Sequence, residues 1–494
     1  MNDETVSSGL SKTQTLFFWL SAATAGLCAC IYLANWLAAL SSPYSIAFES
    51  PMLWTAHALG QGQNIYALER LSKEPWLVTI YPPIYLCFAA ILVKVLGVQY
   101  FWLRLANMIL SVGVGALLFR IMRLSGSSLA PCICALTFFF SFGRIAGESY
   151  SARPDFLLLF LSTLMLERFL LVFTNEEKKN TFSNYLPVLI LALAAIFTKQ
   201  QAIVFVVSIA IFLCQSGKAK LAGKFMLLWL LGMGLISYIL DLSCGGYFAH
   251  LSFLAATKSD SAVLLSNLSS LGVDWLKLFW ALPVVPLAVL AIKKLDGVKS
   301  LPFILVSVST GLFLYSMGIP ASSTNHMMSA ILGLSWCLSI CLSRLPAWLG
   351  IIGLITIAAS FNHLADEAIY RPKLLPIARS DAAKLLKMDL SCKPVLTDDL
   401  YLNVLTGSNP VIVDCATFMN VWTARGSGLE PLLKAISEKR YAAVIINSND
   451  SRSSGASAWW PQALIDAVRS NYHKVAELQC SGWSLDLFIA DLDH

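Results

Sequence analysis

The sequence predicts a polytopic α-helical membrane protein with a small α/β domain at its C-terminal end. Three observations carry this prediction. Hydrophobic residues make up 57% of the 494 and charged residues only 13%, about half the ~25% charge of a soluble domain. Apolar stretches approaching the ~20 residues needed for a crossing helix recur from Leu16 to Asn362. Beyond that point the pattern changes to short strand-like runs and amphipathic helices.

The first apolar run, 16–40, is too long for a signal-peptide core and lacks a small-x-small cleavage site, so it reads as an uncleaved helix. Further runs cover 82–97, 101–123, 128–147, 155–173, 185–198, 201–215, 225–242, 276–292, 301–318, 326–343 and 346–362. Lys and Arg favour cytoplasmic loops. The cations Arg120/Arg123, Lys178/Lys179, Lys218/Lys220/Lys224, Lys293/Lys294/Lys298 and Arg344 satisfy that rule if every segment from 101 onward alternates. The first helix then ends outside, and 101–123 must run from outside to inside. Hence 82–97, which starts at Tyr81-Pro82-Pro83 and carries Lys94, is expected to lie at the outer interface without crossing. The prediction is about 11 crossing helices, with the N-terminus cytoplasmic and 41–100 forming a large external loop with juxtamembrane helices.

Residues 1–365 are thus expected to form the membrane domain and 366–494 a soluble extracytoplasmic α/β domain. In the latter, PVLTDDL, NPVIVDC and YAAVIINS read as buried strands, and PLLKAISEKR and WPQALIDAVRSNY as amphipathic helices. The net charge of +6 comes from short loops, not from a basic patch, which excludes nucleic acid as a partner. Fourteen Trp and fifteen Tyr suit two lipid–water interfaces. The twelve Cys show no metal-ligand spacing. Cys28, Cys30, Cys132 and Cys134 sit in apolar runs as small hydrophobes. Cys392, Cys415 and Cys480 leave room for one disulfide.

Ionisable groups at membrane depth are costly and are functional candidates by default. Five places on the expected outer side qualify. Glu49 follows the first helix and reads either as a helix-start acid before Ser50-Pro51 or as a general base. Asp155 opens an apolar helix, where its charge suits the dipole, but Glu148, Arg153 and Asp155 together exceed what a cap requires. Lys199 interrupts two apolar runs against the positive-inside trend; it either snorkels to headgroups or binds an anion. Asn325 and His326 open a later helix from outside, as cap and structural histidine or as ligands. Arg104, at the outer start of its helix, packs against the external loop or contacts a ligand. In the soluble portion Asp398, Asp399 and Asp414 read as turn and cap residues, with acceptor recognition as the functional alternative. Carboxylates and cations gathered in this way suit an anionic lipid with a polar head: Lys and Arg for phosphate, and a base for a hydroxyl.

In order and spacing, residues 16–370 resemble the membrane-embedded C-type glycosyltransferases, which include protein O-mannosyltransferases, lipid A aminoarabinose transferases and oligosaccharyltransferases. The resemblance rests on Glu49 after the first helix, A-x-x-L-x-x-G-x-x-x-Y from Ala56 to Tyr66, YPP at 81–83, Arg104-Leu105, RPD at 153–155, TKQ at 198–200, and an NH pair at Asn325-His326. It implies transfer of a sugar from a polyprenyl-phosphate donor to a hydroxyl acceptor on the extracytoplasmic face of the plasma (inner) membrane, with inversion. It also implies catalytic roles for Glu49 and Asp155. Substrate contacts would come from Arg153, Lys199, Arg104, Asn325, His326, Tyr81 and Glu148. Many members have Asp at the position of Glu49. Some branches use Mg or Mn, for which Glu49 and Asp155 are the candidate ligands; no cofactor follows for certain. The acceptor stays open. Two rival readings are a transporter, which would place its charges near the midplane of inverted repeats, and a polysaccharide polymerase or ligase with the same donor.

Overall fold

The structure is a computed structural model that describes residues 11–42, 49–175, 177, 181–255, 265, 297–317, 324–359, 361, 394–397, 403, 410–413, 429–447, 460–480 and 483–490. The expected run 276–292, Asp398, Asp399, Asp414, Cys392 and Cys415 lie outside the described residues, as does the side chain of Asn325.

The chain is a helical bundle of membrane type. In order, its first helices are α1 (Lys12–Ser41), α2 (Ser50–Gly60), α3 (Pro83–Leu96), α4 (Tyr100–Leu124), α5 (Leu129–Phe140), α6 (Gly143–Ser149), α7 (Asp155–Phe173), α8 (Leu186–Ile196), α9 (Ile203–Gln215), α10 (Ala219–Cys244) and α11 (Tyr247–Ala255). Helices Leu301–Met317, Met328–Leu342 and Ala347–Ala359 follow. Among the described residues, α1, α4, α7 and α10 are each long and apolar enough to cross a membrane. On α10 Leu227, Leu231, Leu235 and Leu242 are exposed, as side chains facing lipid would be.

The run 128–147, expected to be one helix, is instead two. Helices α5 and α6 meet at a 76° bend. Phe142 takes an extended backbone there (φ −73°, ψ 129°) and is fully buried, so packing of its ring overrides helix continuation. The bend directs α6, with Arg144 and Glu148, toward the site described below.

Helices α4 and α7 pack face to face. Their closeness depends on Gly113, where an added Cβ would stand 2.8 Å from the Phe160 ring. Small residues let helices approach in this way where lipid removes the hydrophobic driving force. Helix α3 begins at Pro82-Pro83, whose missing N–H suits a first turn. Its start is tied to the end of α8, as the Ile84 amide donates to the Phe197 carbonyl at 2.9 Å.

Toward the C-terminus the described residues include a four-stranded mixed sheet in the order β1-β2-β4-β3. Strands β1 (Val395–Thr397) and β2 (Ala443–Asn447) are parallel. Strand β4 (Trp483–Ala490) is antiparallel to β2 and to β3 (Tyr472–Cys480). Helices Glu430–Ser437 and Gln462–Asn471 pack against it through Leu432, Ile436, Leu464 and Val468. Among the described residues of NPVIVDC, expected to be a strand, Pro410 and Ile412 make isolated parallel bridges. Its partner at Ile412 is Trp76 of the loop between α2 and α3, whereas Pro410 bridges to Val395 at the end of the sheet. The β3–β4 hairpin was not among the expected strands. Its register breaks at a bulge between Lys474 and Ala476, which blurs the two-residue alternation.

Candidate active site

The site forms where the α6–α7 loop, the loop before α3, the α8–α9 junction and the 3-10 turn Thr324–Met327 converge. Glu49 and Arg104, 55 residues apart, are both fully buried. Arg104 Nε donates to Glu49 Oε1 at 3.1 Å and Nη2 to Oε2 at 2.5 Å, a bidentate pair of the strong kind. Arg104 Nη1 also donates to the carbonyls of Ala39 and Ser42 at the end of α1. Glu49 Oε1 further accepts the Ala152 amide at 2.6 Å. Asn107, a turn along α4 from Arg104, donates to the carbonyls of Ser151 and Arg153. The pair and Asn107 therefore fasten the backbone of the loop that carries Arg153. Glu49, expected as a base, has both carboxylate oxygens engaged by donors in this arrangement, and Arg104 is engaged with it.

Beyond that clamp, Asp155 is the first residue of α7 and is 2% exposed. Its Oδ1 accepts from Lys199 Nζ at 2.7 Å, and its Oδ2 lies 3.8 Å from Arg153 Nε. Lys199 sits in extended backbone between α8 and the turn that opens α9, so the helix break itself delivers the cation. Its Nζ lies 5.8 Å from the centre of the Tyr81 ring, within cation–π reach. Gln200 Nε2 donates to the Ile80 carbonyl at 2.8 Å, which holds Tyr81 against this junction.

Glu148 completes the cluster. Its Oε1 lies 3.3 Å from Arg153 Nη1 and 3.5 Å from Arg144 Nη1, and its Oε2 accepts from Ser151 Oγ at 2.9 Å. Burial works against the Arg153 cation, but Glu148, Tyr81 and Asp155 outweigh it and raise its pKa above the ordinary value. His326 faces Lys199, Asp155, Arg153 and Arg144 from the 3-10 turn, and its Nδ1 is buried with no hydrogen-bond partner among the described residues.

The structure thus joins Glu148, Arg153, Asp155, Lys199, Tyr81 and His326 in one cluster and places Glu49 with Arg104 in the clamp behind it. Two residues escaped sequence reasoning. Arg144 stands four before Glu148 on one helix face, a spacing that signals an ion pair. Tyr85 follows Tyr81 at the same spacing, but a tyrosine in an apolar run carries no signal of its own.

The carboxylates do not suit a divalent cation. Glu49 is saturated by Arg104 and Ala152, while Asp155 and Glu148 are each paired with cations. Among the described residues no group of three His, Cys, Asp or Glu side chains comes together as a metal site.

No protein-family model and no curated protein matches the chain by sequence. Solved structures match it in fold. Against ArnT from Cupriavidus metallidurans bound to undecaprenyl phosphate, the TM-score is 0.59 at 11% identity, covering 93% of this chain and 97% of that one. Against the archaeal oligosaccharyltransferase AglB from Archaeoglobus fulgidus, in complex with an inhibitory peptide and a dolichol-phosphate, it is 0.57 at 9% identity, covering 97% of this chain and 75% of that one. The chain has the fold of the membrane-embedded C-type glycosyltransferases.

Proposed function

We propose that this protein is a glycosyltransferase that moves a sugar from a polyprenyl-phosphate donor to a hydroxyl acceptor on the extracytoplasmic face of the membrane, with inversion. The observation that carries the reading is the Asp155–Lys199–Arg153 cluster beside Tyr81, in a fold whose neighbours hold undecaprenyl phosphate and dolichol-phosphate.

In this reading Lys199 and Arg153 bind the donor phosphate. The acceptor oxygen forms its bond to the anomeric carbon as the bond to the phosphate oxygen breaks. The electron pair leaves with polyprenyl phosphate, and the acceptor proton passes to Asp155. The same two cations hold Asp155 in the free protein. An arriving phosphate competes for them, loosens their hold on the carboxylate and strengthens it as a base, so donor binding readies the catalytic group. Stabilising the departing phosphate by fixed charge is the larger contribution.

Glu49 and Arg104 position the Arg153 loop. Glu148 orients Arg153 and Arg144, and His326 faces the acceptor side. Residues 366–494 form the extracytoplasmic domain, and 82–97 rests at the interface among about 11 crossing helices.

The test is to incubate the purified protein, with and without added Mg or Mn, with a panel of polyprenyl-phosphate sugars and common hydroxyl acceptors. Release of polyprenyl phosphate from at least one donor is expected. No release from any, together with no preference for lipid phosphate over the free lipid alcohol, would overturn the reading.

A further inference from the structure

The hydroxyl of Tyr85 is buried, and no hydrogen-bond partner for it exists among the described residues. The side chain is 1% exposed, so water cannot compensate as it would at a surface. A buried hydroxyl without a partner is costly, and natural structures tolerate one chiefly where something else completes it. Its surroundings are those of the site: Glu49, Asp155, Arg153 and Tyr81 all act on it electrostatically.

Tyr85 lies in the first turn of helix α3. The Ile84 amide, its neighbour, is tied to the Phe197 carbonyl, two residues before Lys199. Tyr85 and Lys199 are thus carried by one strut. The acidic groups near Tyr85 are already committed to cations: Glu49 to Arg104, and Asp155 to Lys199 and Arg153. The phenol is a neutral donor at physiological pH, and an anion drawn in by Lys199 and Arg153 would bring acceptor oxygens beside it.

We infer that Tyr85 is a further substrate-binding residue, whose hydroxyl donates a hydrogen bond to a phosphoryl oxygen of the lipid phosphate. This rests on the donor reading above, and the experiment separates the two. Wild-type protein and Tyr85→Phe are compared for binding of undecaprenyl phosphate and of undecaprenol, and for thermal unfolding without lipid.

Wild type should prefer the phosphate. Tyr85→Phe should lose about tenfold in affinity for undecaprenyl phosphate, the scale of one hydrogen bond to a charged acceptor, and nothing for undecaprenol. Without lipid it should unfold no earlier than wild type, since Phe removes an unsatisfied group. A wild type blind to the phosphate defeats the donor reading. A phosphate-selective wild type with an equally selective Tyr85→Phe defeats only the role of Tyr85, as does early unfolding of the lipid-free variant, which would reveal an internal partner. Should Tyr85→Phe not fold, 3-fluorotyrosine at position 85 keeps the hydroxyl. Its fluorine resonance must then shift with undecaprenyl phosphate but not with undecaprenol, and an unmoved resonance overturns the inference.

Discussion

Lys199 Nζ lies 2.7 Å from Asp155 Oδ1 across 44 residues of sequence, and both side chains are almost wholly buried. Two helix ends meet to make this contact. Asp155 opens α7, where the dipole favours its charge, and Lys199 occupies the break between α8 and α9. An ion pair away from water must recover a large desolvation cost. Here Arg153 and the Tyr81 ring share in that. A pair so expensive to bury, ringed by further charges, is suited to handling an anion.

If Lys199 binds the donor phosphate, Lys199→Ala should raise the donor KM at least about tenfold, since a hydrogen bond to a charged group contributes about 1.5–3 kcal/mol. Donor titration of turnover measures this. Unchanged donor kinetics would reduce Lys199 to a structural partner of Asp155.

The Glu49–Arg104 pair should act on stability first. Removing either partner leaves the other charged and buried, at a cost of about 3–5 kcal/mol. Glu49→Leu and Arg104→Met should each lower the unfolding temperature in detergent, and the double variant should recover part of the loss. Strict additivity of the two losses would mean that the charges do not work as a pair.

His250, fully buried on α11, accepts the Thr79 amide on Nδ1 at 3.0 Å, and its Nε2 faces the Ala67 carbonyl at 3.2 Å, the geometry of the neutral ring. Burial lowers its pKa below the ordinary value. The unfolded loop therefore binds the proton first as pH falls, so the stability supplied by His250 is present above about pH 6.5 and is lost below it. Once intrinsic rates are corrected, the Thr79 amide should exchange faster at pH 5.5 than at pH 7.5 in wild type. In His250→Phe that pH dependence should vanish; if it persists, another group is responsible.

Much of the site was legible in the sequence, because charge in an apolar chain stands out. Glu148, Arg153, Asp155 and Lys199 were each singled out by apolar surroundings, and the structure brings them together. The pairing of Glu49 with Arg104 was not legible, because nothing local connects positions 55 residues apart. Nor was the bend at Phe142 expected, although Ser141, Gly143 and Arg144 interrupt the apolar run beside it. Trp76 shows the same limit. It sits in the loop between α2 and α3, yet it joins the core formed by Leu396, Tyr441 and Trp460, and its amide and carbonyl bond to Val411 and Val413. The sheet region thereby grips the chain five residues before Tyr81. Burial against residues more than 300 positions away leaves no trace in local pattern.

The most direct measurement of the proposed chemistry is the rate of polyprenyl phosphate release by Asp155→Asn at saturating donor, with binding of undecaprenyl phosphate measured on the same preparation. Asn keeps the size of the side chain and removes the base, so the rate should fall about 10²–10⁴-fold, while lipid phosphate binding holds or tightens as Lys199 and Arg153 are freed. Release at the wild-type rate would contradict a catalytic Asp155 and, with it, the site assigned to this protein.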